Sequence, residues 1–161
     1  MKAITIWQPW ATLIVEGAKP FEFRGWTPSR SLIGKRIAIH AGARKVNKAE
    51  VRGLLMALRG GPFIRPCLHA DKARPVLENA LTAPGSLPLS AVVCTAVLGE
   101  PKRGDRVAIE DFGVHPDDVA DANDSDRDGA FNWGWPLTDV APLVPPRPCR
   151  GAQGFWEWSE E

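Results

Sequence analysis

Lys19, Glu22 and Arg24 fall within six positions of the run Gly17-Ala18-Lys19-Pro20-Phe21-Glu22-Phe23-Arg24, interleaved with Pro20, Phe21 and Phe23. If Phe21 onward is a strand, side chains alternate between its faces. Glu22 and Arg24 then share one face, and Phe21 and Phe23 point the other way into a core. Unpaired buried charge is costly, so the charged face needs water, a partner or a ligand. Held at a cleft, a lysine and a carboxylate would contact a polar base edge and a phosphate, and Arg24 adds a bidentate donor. With shifted pKa values, Lys19 and Glu22 would also serve as a general acid–base pair. The plain alternative is a surface ion pair beside a turn.

The motif G-x-K-x-x-E-x-R, preceded by Ile6-Trp7-Gln8-Pro9-Trp10-Ala11 and an apolar helix, resembles the signature of the ASCH domain, in the PUA-like superfamily. The resemblance covers Lys2 to Trp26, continues through Ile37 to Ala41 and ends with Cys149 to Trp158. It does not extend to the middle of the chain. It implies a small β-barrel-like fold with a cleft lined by the motif, and an association with RNA or modified nucleotides. One branch of the family hydrolyses an acetylated cytidine with a threonine nucleophile where this chain has Glu22, and other members cut RNA. Glu22 supplies no hydroxyl. Thr27 is near in sequence but lies off the motif.

Other residues suit the same cleft. Trp7, Trp10 or Trp26 offers a stacking face for a single-stranded or flipped base. His40 either faces the cleft, where its imidazole would touch a phosphate or base edge, or is a polar-face or core histidine. The basic loop Gly42-Ala43-Arg44-Lys45 suits phosphate contact through Arg44 and Lys45.

A chain of 161 residues suits one domain with a real core. Its 44% hydrophobic and 24% charged content is ordinary for a globular protein. No apolar run approaches the roughly 18 to 20 residues that span a bilayer. The start lacks the long apolar region of a signal peptide, so a cytoplasmic location and no membrane partner are expected. Cys67, Cys94 and Cys149 are too scattered for a disulfide framework. Cys67 and His69 lack further ligands, so neither a metal site nor a cofactor is expected. Absent G-x-S-x-G, P-loop and G-x-G-x-x-G patterns argue against serine hydrolase, NTPase and Rossmann readings.

The formal charge of +1 hides an asymmetry: residues 1–106 hold 17 of the 20 Lys and Arg but 7 of the 19 Asp and Glu. Either a basic surface patch results, or the acidic C-terminal part lies over the basic part. Asp124-Ser125-Asp126-Arg127-Asp128-Gly129 matches the opening of a calcium loop. Position twelve of that loop, however, is Trp135 rather than a bidentate Glu, so a solvated acidic loop around 115–129 is the reading.

The elements that must position these residues follow from pattern. Lys2 to Ile6 is a strand, and Pro9 to Glu16 a helix closed by Gly17. Lys35 to Ala41 alternates as a half-buried strand. Asn47 and Glu50 form a capping box for a helix with Val51, Leu54, Leu55 and Leu58 on one face. Residues 60–88, rich in proline, read as an insertion, a rim or lid, with one helix around Val76 to Leu81. Leu89 to Leu98 is a strong buried strand. Phe131 to Trp135 is a strand, Asp139 to Pro148 a proline-rich connection, and Phe155 to Trp158 a closing strand.

The expectation is a single α/β (α+β) domain over 1–161: a PUA-like bent mixed sheet forming a β-barrel-like core with two or three peripheral helices. Its function is expected to be binding of single-stranded RNA or a modified nucleoside or nucleotide in the motif cleft. The alternatives are a hydrolase acting through the same cleft, with Lys19 and Glu22 catalytic, and a protein–protein adaptor using the acidic loop and exposed tryptophans.

Overall fold

Alternating side chains on the first and third strands put two isoleucine rows on one side of a bent sheet. The computed structural model describes residues 1–60, 67–119 and 131–160. β1 (Lys2–Ile6) sends Ile4 and Ile6 inward, and β3 (Arg36–Ala41) sends Ile37, Ile39 and Ala41 the same way. The two are parallel neighbours, with Thr5 opposite His40. All other pairings are antiparallel. The seven strands run in the order β2-β6-β4-β3-β1-β7, where β2 is Phe21–Arg24, β4 Ala91–Leu98, β6 Trp133–Pro148 and β7 Phe155–Glu157. The two-residue β5 (Lys102–Arg103) pairs with β6 off this path.

The sheet curls until its two ends meet through side chains. Trp135 of β6 stacks on Phe155 of β7 at 5.7 Å, and Trp26 packs edge-on against both rings. The short helix α1 (Trp10–Val15) plugs the curl with Ala11 and Ile14. Its other face joins α2 (Lys48–Leu58) and α3 (Ala70–Thr82) in a second apolar cluster around Leu13, Val51 and Leu77. A fourth helix, α4 (Gly104–Phe112), packs Val107 and Ala108 against Phe21. Four helices thus flank the sheet among the described residues, α4 having no counterpart in the sequence reading. Gly113, at φ +65°, closes it in the left-handed region. No helix is long and apolar enough to cross a membrane among the described residues.

Several readings change. The strand at 36–41 is buried on both faces rather than half-buried, because Ala3, Ala38, Val92 and Trp158 form a cluster on its far side. The proline-rich stretch 139–148 is the second half of β6, paired along one side with β4. Proline is tolerated there because the other side of this half carries no strand, and two register shifts absorb the missing donors. α3 begins at Ala70, ahead of Pro75, although an internal proline costs about 3 kcal/mol in a helix. Buried Ala73, Val76, Leu77 and Ala80 supply packing that outweighs this. Residues 70–82 are therefore part of the helical cluster. Residues 61–66 and the calcium-loop match at 124–129 lie outside the described residues.

The charge asymmetry is partly self-neutralised. Arg36 pairs with Asp139, Lys2 with Glu157, Lys102 with Asp111 and Arg106 with Glu110, each joining the basic part to the acidic part.

Candidate nucleic-acid interface

Gly17 sets up the site. At φ +68° it follows the last turn of α1 and lets the N–H groups of Ala18 and Lys19 both return to the Leu13 carbonyl, at 2.8 and 3.0 Å. The chain leaves the helix at a fixed angle and enters β2, paired with β6 so that Glu22 lies opposite Trp135. Phe21 is held behind the strand by α4, which turns Glu22 and Arg24 to the opposite, open side.

There the three charges form one network, with Lys19 and Glu22 buried and Arg24 half-buried. Lys19 Nζ donates to Glu22 Oε2 at 2.7 Å and to the Phe21 carbonyl at 2.5 Å. Arg24 Nε donates to Glu22 Oε1 at 2.8 Å, and its Nη2 to the Thr5 carbonyl at 3.0 Å. Lys19 and Glu22 are each only 6% exposed. The ammonium also lies 5.8 Å from the Trp10 ring centre and 5.6 Å from that of Phe23. Local geometry across Pro20 does not by itself make Lys19 and Glu22 face each other, and tertiary packing does.

Hydrogen-bond capacity is left over. A lysine has three N–H donors and an arginine five. Two of Lys19 and two of Arg24 are used among the described residues, so one and three remain. The network has one net positive charge, which favours an anionic or acceptor-rich ligand.

The cleft over this network has a volume of about 1400 Å³. Of the residues expected in it, Lys19, Glu22, Arg24, Trp7, Trp10, Trp26, His40 and Arg44 all line it, whereas Lys45 is exposed and lies outside the lining. Thr27 is exposed and outside it as well. The three tryptophans differ. Trp7 is 54% exposed with the Arg44 guanidinium 4.3 Å over its ring, and Trp26 is 43% exposed. Trp10 is half-buried and donates its indole N–H to Glu50 Oε1 at 3.0 Å. Glu50 therefore does not complete a capping box. Asn47 caps α2 by accepting from Ala49 and Glu50, while the Glu50 carboxylate serves Trp10 and approaches Arg44.

His40 has a different place from a ligand-contacting imidazole. A register shift between Ile39 and His40 re-aims it within the sheet. Its Nε2 lies 3.1 Å from the Cys149 carbonyl, which can only accept, so Nε2 carries the proton. Nδ1 faces the Thr5 hydroxyl at 3.3 Å. Burial lowers its pKa below 6.5 against the opposing effect of the carbonyl, so the ring is neutral at neutral pH. Thr5 in turn donates to the Ala152 carbonyl at 2.9 Å and accepts from Trp156 Nε1 at 3.2 Å.

These bonds seat a wall that sequence reasoning missed: residues 149–154, all lining the cleft. Gly151 rests directly on His40. A Cβ there would lie 2.4 Å from His40 Cε1 and 2.7 Å from Thr5 Oγ1. The signal available in the sequence was Arg150 beside a paired glycine turn. Cys94 is a core thiol whose pKa burial raises to about 12, so it takes no part in the cleft. No three His, Cys, Asp or Glu side chains gather as a metal site among the described residues.

Comparison with known proteins adds the following. No curated protein matches the chain. Among solved structures it is similar to the crystal structure of ASCH from Zymomonas mobilis, at 18% identity and TM-score 0.46, covering 91% of this chain and 72% of that one. It is also similar to a mutant form of the same protein, at 19% identity and TM-score 0.44, covering 91% and 74%. The family model of the ASCH domain matches residues 4–83, the stretch that supplies β1, α1, the Lys19–Glu22–Arg24 network, β3 and the α2–α3 pair. Residues 4–83 of the chain carry the ASCH domain.

Proposed function

We propose that this protein binds RNA or a modified nucleotide in the cleft over Lys19, Glu22 and Arg24. The observation that carries the reading is the joining of two features in one cleft. A buried, donor-rich, net-cationic floor lies beneath exposed aromatic faces at Trp7 and Trp26. A nucleotide needs both: acceptors on base and phosphate meet the floor, and the base plane stacks on an indole.

The test is titration of single-stranded RNA, DNA and modified nucleosides, scored for binding and for turnover. RNA affinity is expected to fall steeply with salt through counterion release. Lys19→Ala is expected to weaken binding by about 10- to 100-fold, the range of a charge-assisted hydrogen bond. Trp26→Ala removes a stacking face and is expected to weaken binding by about tenfold, with a thermal melt checking the fold. Absence of RNA and nucleoside binding at low salt would remove this reading and leave the adaptor. Turnover lost in Lys19→Ala with binding largely kept would make the cleft that of a hydrolase.

A further inference from the structure

We propose that the 150–154 loop is a phosphate-binding wall, so that the cleft selects phosphate-bearing nucleotides over neutral nucleosides. The inference rests on the nucleotide reading of the cleft and adds the chemical class of its ligand.

Three observations converge. The first is an excess of cations: Lys19, Arg24, Arg44 and Arg150 line the cleft against the carboxylates of Glu22 and Glu50. Glu22 is held between Lys19 and Arg24, and Glu50 by Trp10 and Arg44. Arg150 is exposed and has no ion pair or hydrogen bond among the described residues, so its whole guanidinium fork is open. A planar fork of this kind matches phosphate oxygens two at a time.

The second is backbone accounting. Two carbonyls of the wall, those of Cys149 and Ala152, are turned onto His40 and Thr5. The Cys149 N–H is held by the Ser90 carbonyl at 2.9 Å. The backbone N–H groups of Arg150, Gly151, Ala152, Gln153 and Gly154 have no protein partner among the described residues. Backbone donors left in this way are satisfied by water or by a ligand, and successive ones form a concavity suited to an anion.

The third is rigidity. Gly151 sits where no Cβ fits, and Thr5, His40 and Trp156 lock the segment from below. A donor array fixed before the ligand arrives loses little entropy on binding.

The experiment compares the four ribonucleosides with their 5′-monophosphates on the intact chain, by calorimetry at two salt concentrations. The wild type is expected to bind monophosphates at least about tenfold more tightly, with the advantage shrinking at high salt. Arg150→Gln should reduce that advantage to about twofold. The residue is exposed, and an unchanged thermal melt verifies the fold. Arg74→Gln, on α3 and outside the cleft lining, should keep the full advantage. Nucleosides and monophosphates binding equally would overturn the wall and leave the nucleotide reading standing. An advantage that survives Arg150→Gln would also overturn it. No binding of either set would overturn both.

Discussion

Glu22 is the residue on which the site turns, because it neutralises two cations at once. Its carboxylate receives Lys19 on one oxygen and Arg24 on the other, and it is buried with Lys19. A buried pair gives little net stability against an apolar replacement, but losing one member leaves an uncompensated charge. Glu22→Ala is therefore expected to cost about 3 to 5 kcal/mol in urea denaturation. The double substitution Lys19→Met with Glu22→Gln should cost less than Glu22→Ala alone, since it removes the orphaned ammonium and keeps an acceptor for Arg24. A cost under about 1 kcal/mol for the single change would mean that the pair behaves as a surface one. The cluster lines an open cleft, where the proposed ligand would meet its spare donors.

The elements divide the work between floor and wall. β2 and the last turn of α1 hold the floor, while the segment joining β6 to β7 forms the wall. What couples them is Thr5, whose carbonyl accepts from Arg24 and whose hydroxyl accepts from Trp156 and donates to the Ala152 carbonyl. One residue of β1 thus ties the charged network to the loop. Gly151→Ala tests the coupling. Its Cβ would press on His40 and Thr5, both held by other bonds, so the loop must move. The expected cost is about 1 to 3 kcal/mol of stability, as for overpacking a filled site. Nucleotide affinity should fall with it. An alanine variant with wild-type melting and binding would show that the loop is free to shift.

At the scale of the molecule, the curl is closed by rings rather than by a further ladder of backbone bonds. Trp135 is fully buried, stacks on Phe155, meets Trp26 edge-on and donates its indole N–H to the Trp26 carbonyl at 3.1 Å. It therefore joins β6 and β7, which lie far apart in the strand order, and anchors the segment that carries Trp26 to the cleft. Trp135→Ala is expected to cost about 3 to 5 kcal/mol through the cavity it leaves. The variant should also lose order at Trp26, read as a shift of its fluorescence towards the fully solvated value. A mild loss of under about 1 kcal/mol would mean that the two ends of the sheet do not depend on this ring.

The sequence by itself determined what depends on neighbours along the chain. The Gly17 helix stop, the alternation that separates Phe21 from Glu22, the isoleucine face of β3 and the Asn47 cap all follow from local rules, and all are present. So is the ASCH domain over residues 4–83, because its motif is a contiguous run. Tertiary structure decided whatever depends on what covers a residue. Nothing local to Lys35–Ala41 says that a second cluster will bury its other face, or that His40 will end as a neutral brace for a loop more than a hundred residues away. α3 runs through Pro75 because packing against α1 and α2 outweighs a local penalty. The prolines of 139–148 lie in a strand because only one side of that strand is paired. The wall of the cleft was hidden for the same reason. A glycine between Arg150 and Ala152 reads as a turn, and only the His40 ring beneath it shows why no side chain fits there.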